Sequence, residues 1–507
     1  MKKLLPILLG ILFVVLAWYR LVVCSSDMLF EAQQQSFWQP GSLYWHQISE
    51  QPGGLFSWCG QFLTQFLYYP ALGSAILILM WLVIYACTLL GCRLPWYLSW
   101  VALIVPSMLL WAETSVNYGI YISKVPDWCF TPTVFWLVVA LLLLVGRWMG
   151  KWVRVPWVAV CAVTGIVMSH QWMQDAAVPE PLRTPYHSMV ADDAAFAAEI
   201  RMEHAAEQAQ WGEVLREMRQ SEAAPTRAMW LYKNIALLNQ GRLTEAWLDY
   251  NSLTEMPHYS DSIIVPMVES QGPMLYFLHG SIEFAYRWSM ENMVEYGPSY
   301  KRLRLMVHCA LIKGEWDLAE RYLNMMSRTM FYRDWAEEHR QYLRRPDLIM
   351  ANPLYSMAMR LSRARYNLLD GDESKAESYL LRSYSMPQSS ACRELAQLSV
   401  IYAMQTQNIQ TFWPAFIHYA NLHADQPMPK LLQQAVYLFV QLEPQSAPQS
   451  SYPFDPEISK TYQQFNARAQ QYMKQGMGEK ALAEAMRHEF GRTYYWFYFL
   501  ARNLNTY

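Results

Sequence analysis

An all-α fold in two parts is what this 507-residue sequence predicts: five membrane-spanning helices, then an extracytoplasmic α-solenoid. Three observations lead there. Charge is unevenly shared, with 13 Asp, Glu, Lys and Arg in residues 1–170 against 69 in residues 171–507. The first is a membrane composition and the second a soluble one. Within the first part, Lys and Arg fall at alternate connections between apolar runs. Within the second, Gly and Ala recur five residues apart between helical patterns.

Five runs in the first part, at about 4–23, 70–91, 95–112, 131–148 and 154–170, have the length and apolarity a bilayer asks for, about 20 residues with about 17 sufficing. Lys2 and Lys3 precede the first run, Arg93 sits between the second and third, and Arg147, Lys151 and Arg154 crowd the turn between the fourth and fifth. The opposite connections carry Asp27, Glu31, Glu50, Glu113, Lys124 and Asp127. Positive charge on one side sets the amino end in the cytoplasm, and an odd number of spans sets everything after residue 170 outside. Trp18, Trp96, Trp111, Trp128, Trp148, Trp152 and Trp172 lie near run ends, the depth at which amphipathic rings settle. Arg20, near the outer end of the first run, reads as a snorkelling side chain. The first run reads as a retained span, because Val23 is not the small residue that signal processing prefers and Arg20 interrupts the apolar stretch. The outer loop, 24–69, holds three acids and no Lys or Arg. Its Leu55, Phe56, Trp58, Phe62, Phe66 and Leu67 fall at helical spacing, which predicts an amphipathic helix lying on the membrane surface.

Residues 171–190, with Pro179, Pro181 and Pro185, read as a semi-rigid linker. Residues 191–507 are rich in good helix formers and show little strand-like alternation. Four pairs organise them: Gly241 with Ala246, Gly314 with Ala319, Gly371 with Ala376, and Gly476 with Ala481. Gly takes the left-handed turn that ends one helix, and Ala lets the next helix pack close. Looser copies fall at Ala209 with Val214 and at Asn408 with Trp413. The arrangement resembles the tetratricopeptide repeat. The copy at 227–257 matches that family's large–small–large pattern best, through Trp230, Gly241, Ala246, Tyr250 and Pro257. At the Trp position the other copies place Leu303, Arg360 and Phe465.

Pro52-Gly53-Gly54-Leu55 and the stretch Gln61-Phe62-Leu63-Thr64-Gln65-Phe66-Leu67-Tyr68-Tyr69-Pro70, together with the repeat-like half, resemble an uncharacterised family of bacterial inner-membrane proteins. That resemblance implies an architecture and an address, and no active site. A looser resemblance is to multi-span sugar transferases that use lipid-linked donors, in which Asp27 and Glu31 take the place of an acid just outside the first span. A carboxylate there acts as general base or holds a divalent metal. The plainer reading makes both solvated acids at a span end.

No phosphate loop, nucleophile elbow, His-Glu-x-x-His or Cys-x-x-Cys pattern occurs, so no cofactor or metal is expected. Cys24, Cys59 and Cys129 share the outer side, where a bridge among them is one option and free thiols the other. The basic run Lys301, Arg302, Arg304 reads as a solvated helix face, and the aromatic carboxyl end, Tyr494–Phe499, as a packed last helix. Net charges of +3 and −5 on the two parts point away from nucleic acid. The expected function is a membrane-anchored scaffold of the cell envelope. Its partners are membrane lipid and an envelope protein or peptide on the solenoid's concave face. The alternative is the transferase-like enzyme.

Overall fold

The computed structural model describes residues 4–50, 53–115, 130–175, 193–221, 226–248, 272–365, 380, 383–384, 390–445 and 454–501, and every regular element among them is a helix. They group into two compact units, Met1–Thr184 with Ser289–Arg344, and Pro185–Trp288 with Arg345–Tyr507. This differs from the expected division into residues 1–170 and 191–507, because Ser289–Arg344 packs with the apolar part.

In the first unit, three described helices are long and apolar enough to cross a membrane: Leu4–Cys24, Pro70–Gly91 and Phe130–Trp148. The first ends in a π-helical turn over Tyr19–Cys24. It turns Ile7, Leu8, Ile11, Leu12, Val15 and Leu16 outward and buries Gly10, Phe13 and Ala17. Phe13 meets Trp81, and the Tyr85 hydroxyl donates to the Pro6 carbonyl at 3.0 Å. Trp81 Nε1 in turn donates to Thr133 Oγ1 at 3.0 Å and joins Pro70–Gly91 to Phe130–Val145. At the far end of that pair only Gly fits, since a Cβ on Gly91 would lie 2.2 Å from the Leu143 carbonyl oxygen. Trp96–Ala112 is a shorter apolar helix, and Lys151–Asp175 runs for 25 residues with Val153, Val155, Val160, Val163 and Ile166 exposed.

The outer-loop helix forms over Gly54–Thr64 and continues as a 3-10 turn over Gln65–Tyr68. Its rings turn to protein rather than outward. Phe56 meets Phe135, Trp58 and Phe62 meet Trp38, and Phe66 meets Phe331. Leu67 is fully buried, and of the six predicted apolar positions only Leu55 is exposed. Cys24 and Cys59 are free thiols, and Cys129 lies outside the described residues.

Helix pairs recur along residues 193–501. Among the described residues of that stretch six turns share one geometry, with the left-handed residue at Ala209, Gly241, Gly280, Gly314, Gln407 or Gly476. In each, two successive N–H groups reach back into the preceding helix, as Gly241 to Leu238 at 3.0 Å and Arg242 to Leu237 at 2.9 Å do. That is a Schellman turn, and it satisfies carbonyls that the helix end would orphan. Five residues beyond the first five stand Val214, Ala246, Ala285, Ala319 and Phe412, all buried. The pair Gly280/Ala285 has no counterpart among the sequence-derived pairs. The copy read at Asn408/Trp413 sits one residue earlier, at Gln407/Phe412, because Asn408 caps the next helix by accepting from Gln410 and Thr411.

The last pair needs correction as well. Ala481 is exposed, and Leu482 takes the buried place. The next helix is capped by Gly478, two residues after Gly476, whereas Arg242 and Glu315 cap directly after Gly241 and Gly314. One extra residue moves the inward position by one. Gly371, Ala376 and Tyr250 lie outside the described residues, as does most of the expected linker.

In the second unit, Trp230 is buried against Trp247, with Lys233 Nζ 3.1 Å from its ring centroid. His279 Nε2 meets the Tyr402 hydroxyl at 2.6 Å, and Asn234 and Gln405 exchange amide hydrogen bonds at 3.0 and 3.3 Å. The last helix, Tyr494–Leu500, packs as its composition suggests. Tyr494, Tyr495, Trp496 and Phe497 are buried, and the Tyr494 hydroxyl donates to the Met404 carbonyl at 3.0 Å.

Candidate functional site

Helix Ser26–Gln35 carries both candidate acids one turn apart, with Asp27 half-buried in its first turn, where a carboxylate complements the helix dipole. Glu31 and the following Gln33, Gln34 and Gln35 are all buried. Polar side chains in such positions need partners. They find them on Tyr300–Lys313, which begins after Ser299 caps its first turn by accepting from Arg302 N–H.

Glu31 Oε1 accepts from Lys301 Nζ at 3.1 Å and from Gln35 Nε2 at 2.9 Å. One turn further along, Arg304 donates to the Gln34 side-chain oxygen, and the Gln34 amide donates to the Tyr332 hydroxyl and to Gln33 Oε1. Tyr332 donates to Gln33 Oε1 at 2.8 Å. The chain after the helix is held through its backbone. Tyr300 N–H donates to the Ser36 carbonyl at 3.1 Å, and the Tyr300 hydroxyl both accepts from Trp38 N–H and donates to the Trp38 carbonyl. Phe331 stacks on Tyr68 with ring centroids 5.2 Å apart, and Tyr300 stacks on Tyr332 at 4.4 Å.

Lys301 and Arg304 are therefore not a solvated face, with Arg304 only 7% exposed. Burial pushes the Tyr332 hydroxyl far above the ordinary tyrosine range, with Arg304 opposing, and burial likewise raises Tyr300. Both stay protonated and act as hydrogen-bond donors. Gln33 Nε2 and Trp38 Nε1 are buried with no hydrogen-bond partner among the described residues.

Chemically the cluster is a clasp. Glu31 is buried and ion-paired, which is not the setting of a general base that must meet substrate. Asp27 lies in the first turn of the same helix and is half-buried. Among the described residues, no three His, Cys, Asp or Glu side chains are grouped so as to hold a metal ion. The repeat residues Trp230, Gly241, Ala246, Gly314 and Ala319 sit at helix-pair turns and interfaces, and they carry packing rather than reactive groups. The clasp itself escapes sequence reading. Its only local signs are three consecutive Gln in a loop devoid of Lys and Arg, and basic residues at i and i+3 on a distant helix.

Fold and clasp define an all-helical protein in which a loop between apolar amino-terminal helices is fastened to a later helical hairpin. The chain belongs to a family of unknown function, DUF6057, whose model matches residues 1–167 and 120–502. No curated protein and no solved structure matches it.

Proposed function

We propose that the protein is a membrane-anchored scaffold of the bacterial inner membrane, with its amino end in the cytoplasm. Its tetratricopeptide-like helix pairs lie outside and bind an envelope protein or peptide. The observation that carries this reading is the clasp. Loop 24–69 and helix Tyr300–Lys313 are in direct contact, so they stand on one side of any bilayer the apolar helices cross. Arg93 donates to the Arg147 carbonyl, so the two basic turns stand together as well.

Parity then supports five crossings. Between Arg93 and Arg147 the chain leaves and returns, which assigns Trp96–Ser115 and Phe130–Val145 one crossing each. From Arg147 to Lys301 it crosses once more, and Lys151–Asp175 spans about 38 Å at 1.5 Å per residue. The five Schellman turns of the second unit, at Ala209, Gly241, Gly280, Gln407 and Gly476, support stacked helix pairs, which commonly present concave binding surfaces. The transferase-like alternative loses support because Glu31, one of its two acids, is committed to Lys301.

Protease added to right-side-out and inverted vesicles tests the orientation. The proposal expects a carboxyl-terminal tag to be cleaved only in the right-side-out preparation. Cleavage only in inverted vesicles overturns it. Site-specific photo-crosslinking from the helix-pair surfaces of the full chain then tests for an envelope partner, and adducts to lipid alone would leave an anchor without a scaffold.

A further inference from the structure

We propose that the cationic end of the apolar helices is a headgroup site for an anionic phospholipid, an inference that rests on the membrane anchorage proposed above. Arg93 follows helix Pro70–Gly91, while Arg147, Lys151 and Arg154 bracket the turn between Phe130–Val145 and Lys151–Asp175. The fold brings these turns together. Besides the bond from Arg93 to the Arg147 carbonyl, the Arg154 stem lies beside Gly146, next to the Gly91 carbonyl. Arg93, Arg147 and Lys151 are exposed and Arg154 is half-buried.

Four positive charges therefore share one end of the helices. The described acids of residues 4–175 are Asp27, Glu31, Glu50, Glu113 and Asp175, and all belong to the opposite helix ends. Along the 22 residues of Pro70–Gly91 that separation is about 33 Å at 1.5 Å per residue, roughly four screening lengths of about 8 Å. Among the described residues, no carboxylate of these helices offsets the mutual repulsion of the four cations. An anion from outside would.

The surroundings say which anion. Each basic turn carries large exposed rings beside its cations: Trp96 and Tyr97 after Arg93, Trp148 after Arg147, and Trp152 after Lys151. Trp148 is 76% exposed and Trp152 is 93% exposed, values that belong at the boundary between headgroups and acyl chains rather than in water. Exposed Val153 and Val155 continue the apolar surface directly from there. Guanidinium and ammonium groups bind a phosphodiester through charge-assisted hydrogen bonds, and they repel the cationic headgroup of a zwitterionic lipid. The occupant this combination selects is a glycerophospholipid with net negative charge, its phosphate among the four cations and its chains against the rings.

The test uses the full chain in nanodiscs, with phosphatidylglycerol titrated into phosphatidylcholine and protein-bound lipid read by native mass spectrometry after release. Phosphatidylglycerol should be enriched over its bulk fraction. R147Q/K151Q should cut that enrichment about 25-fold, at roughly fivefold per cation lost near a lipid surface, while R147K and R93K should keep it. Should the double variant fail to insert, R93Q carries the test with an expected drop of about fivefold. Excess inorganic phosphate should leave the lipid bound, and displacement by phosphate alone would overturn a lipid site. Equal retention of the two lipids by inserted protein overturns this inference and leaves the anchorage standing. A chain that stays out of nanodiscs altogether removes the anchorage, and this inference with it.

Discussion

Replacing Lys301 by Met would leave the Glu31 carboxylate without its cation inside the clasp. The two side chains are 16% and 4% exposed and 3.1 Å apart. An exposed pair would contribute about 0–1 kcal/mol, and many contribute nothing measurable. A carboxylate stranded in the interior costs far more, about 3–5 kcal/mol, because its desolvation is no longer offset. Gln35 Nε2 still donates to Glu31, which holds the expected loss for Lys301→Met near the lower figure. Glu31→Gln takes the carboxylate away from the Lys301 ammonium group instead, whose four-carbon stem can carry it toward water. Its expected cost is about 1–2 kcal/mol, within the span for deleting one partner of a buried hydrogen bond. The double variant, Glu31→Gln with Lys301→Met, leaves no charge at either of these two positions and should be more stable than Lys301→Met alone. A coupling of about 1–3 kcal/mol is expected between the two sites. Thermal unfolding of all four proteins in one detergent, followed by circular dichroism, gives the cycle. Two single variants within about 0.5 kcal/mol of the parent, with an additive double, would refute the clasp, since ordinary surface changes behave that way.

Three further outcomes follow from the helix pairs. His279 is fully buried, and burial lowers its pKa to about 3, so the folded chain excludes a proton that the unfolded chain takes up near pH 6.5. The stability this group provides is present above about pH 6.5 and declines on acidification toward pH 3, by about 1.4 kcal/mol per pH unit; denaturant titrations at stepped pH should show His279→Gln flattening that slope. Gly241→Ala should cost about 1–2 kcal/mol, the price of a left-handed turn with open space around it, whereas Gly280→Ala should cost several-fold more in the same melts, since its Cβ would lie 2.6 Å from Ser362 N and 2.7 Å from Leu361 Cβ. Leu482→Ala should cost about 2–5 kcal/mol as a cavity variant while Ala481→Ser stays within about 0.5 kcal/mol, and equal effects would sink the shifted register of the last pair.

The helical class, the apolar helices and the glycine-ended turns were legible in the sequence because each is local. Gly241, Gly314 and Gly476 adopt positive φ as their residue type allows. Ala209 and Gln407 make the same turn, with nothing in their side chains to announce it. There the hydrogen bonds of the whole turn impose the left-handed conformation. Met477 explains the misplaced inward residue of the last pair, since a single insertion cannot be seen when only Gly and Ala are aligned. The aromatic stripe at Leu55–Leu67 was visible as a helix, but its destination was not, because a protein partner and a membrane surface ask for the same side chains. The clasp was the least legible feature. A bond between residues 270 apart leaves no periodic trace, and Lys301 beside Arg304 looks like any wet helix face.

The 270-residue gap between Glu31 and Lys301 also sets an order of events during synthesis. At about 5–20 residues per second, the ribosome delivers Lys301 roughly 14 to 54 s after Glu31. Through that interval the acid, the three glutamines and the rings of Tyr68 and Phe66 have emerged, while the groups that satisfy them do not yet exist. The nascent loop must stay hydrated or chaperoned until the hairpin arrives. A ribosome stalled just before codon 300 should therefore leave a cysteine placed at Ser36 open to thiol reagents, and one stalled well past codon 344 should leave it closed off, since Ser36 is buried and its carbonyl accepts from Tyr300 N–H.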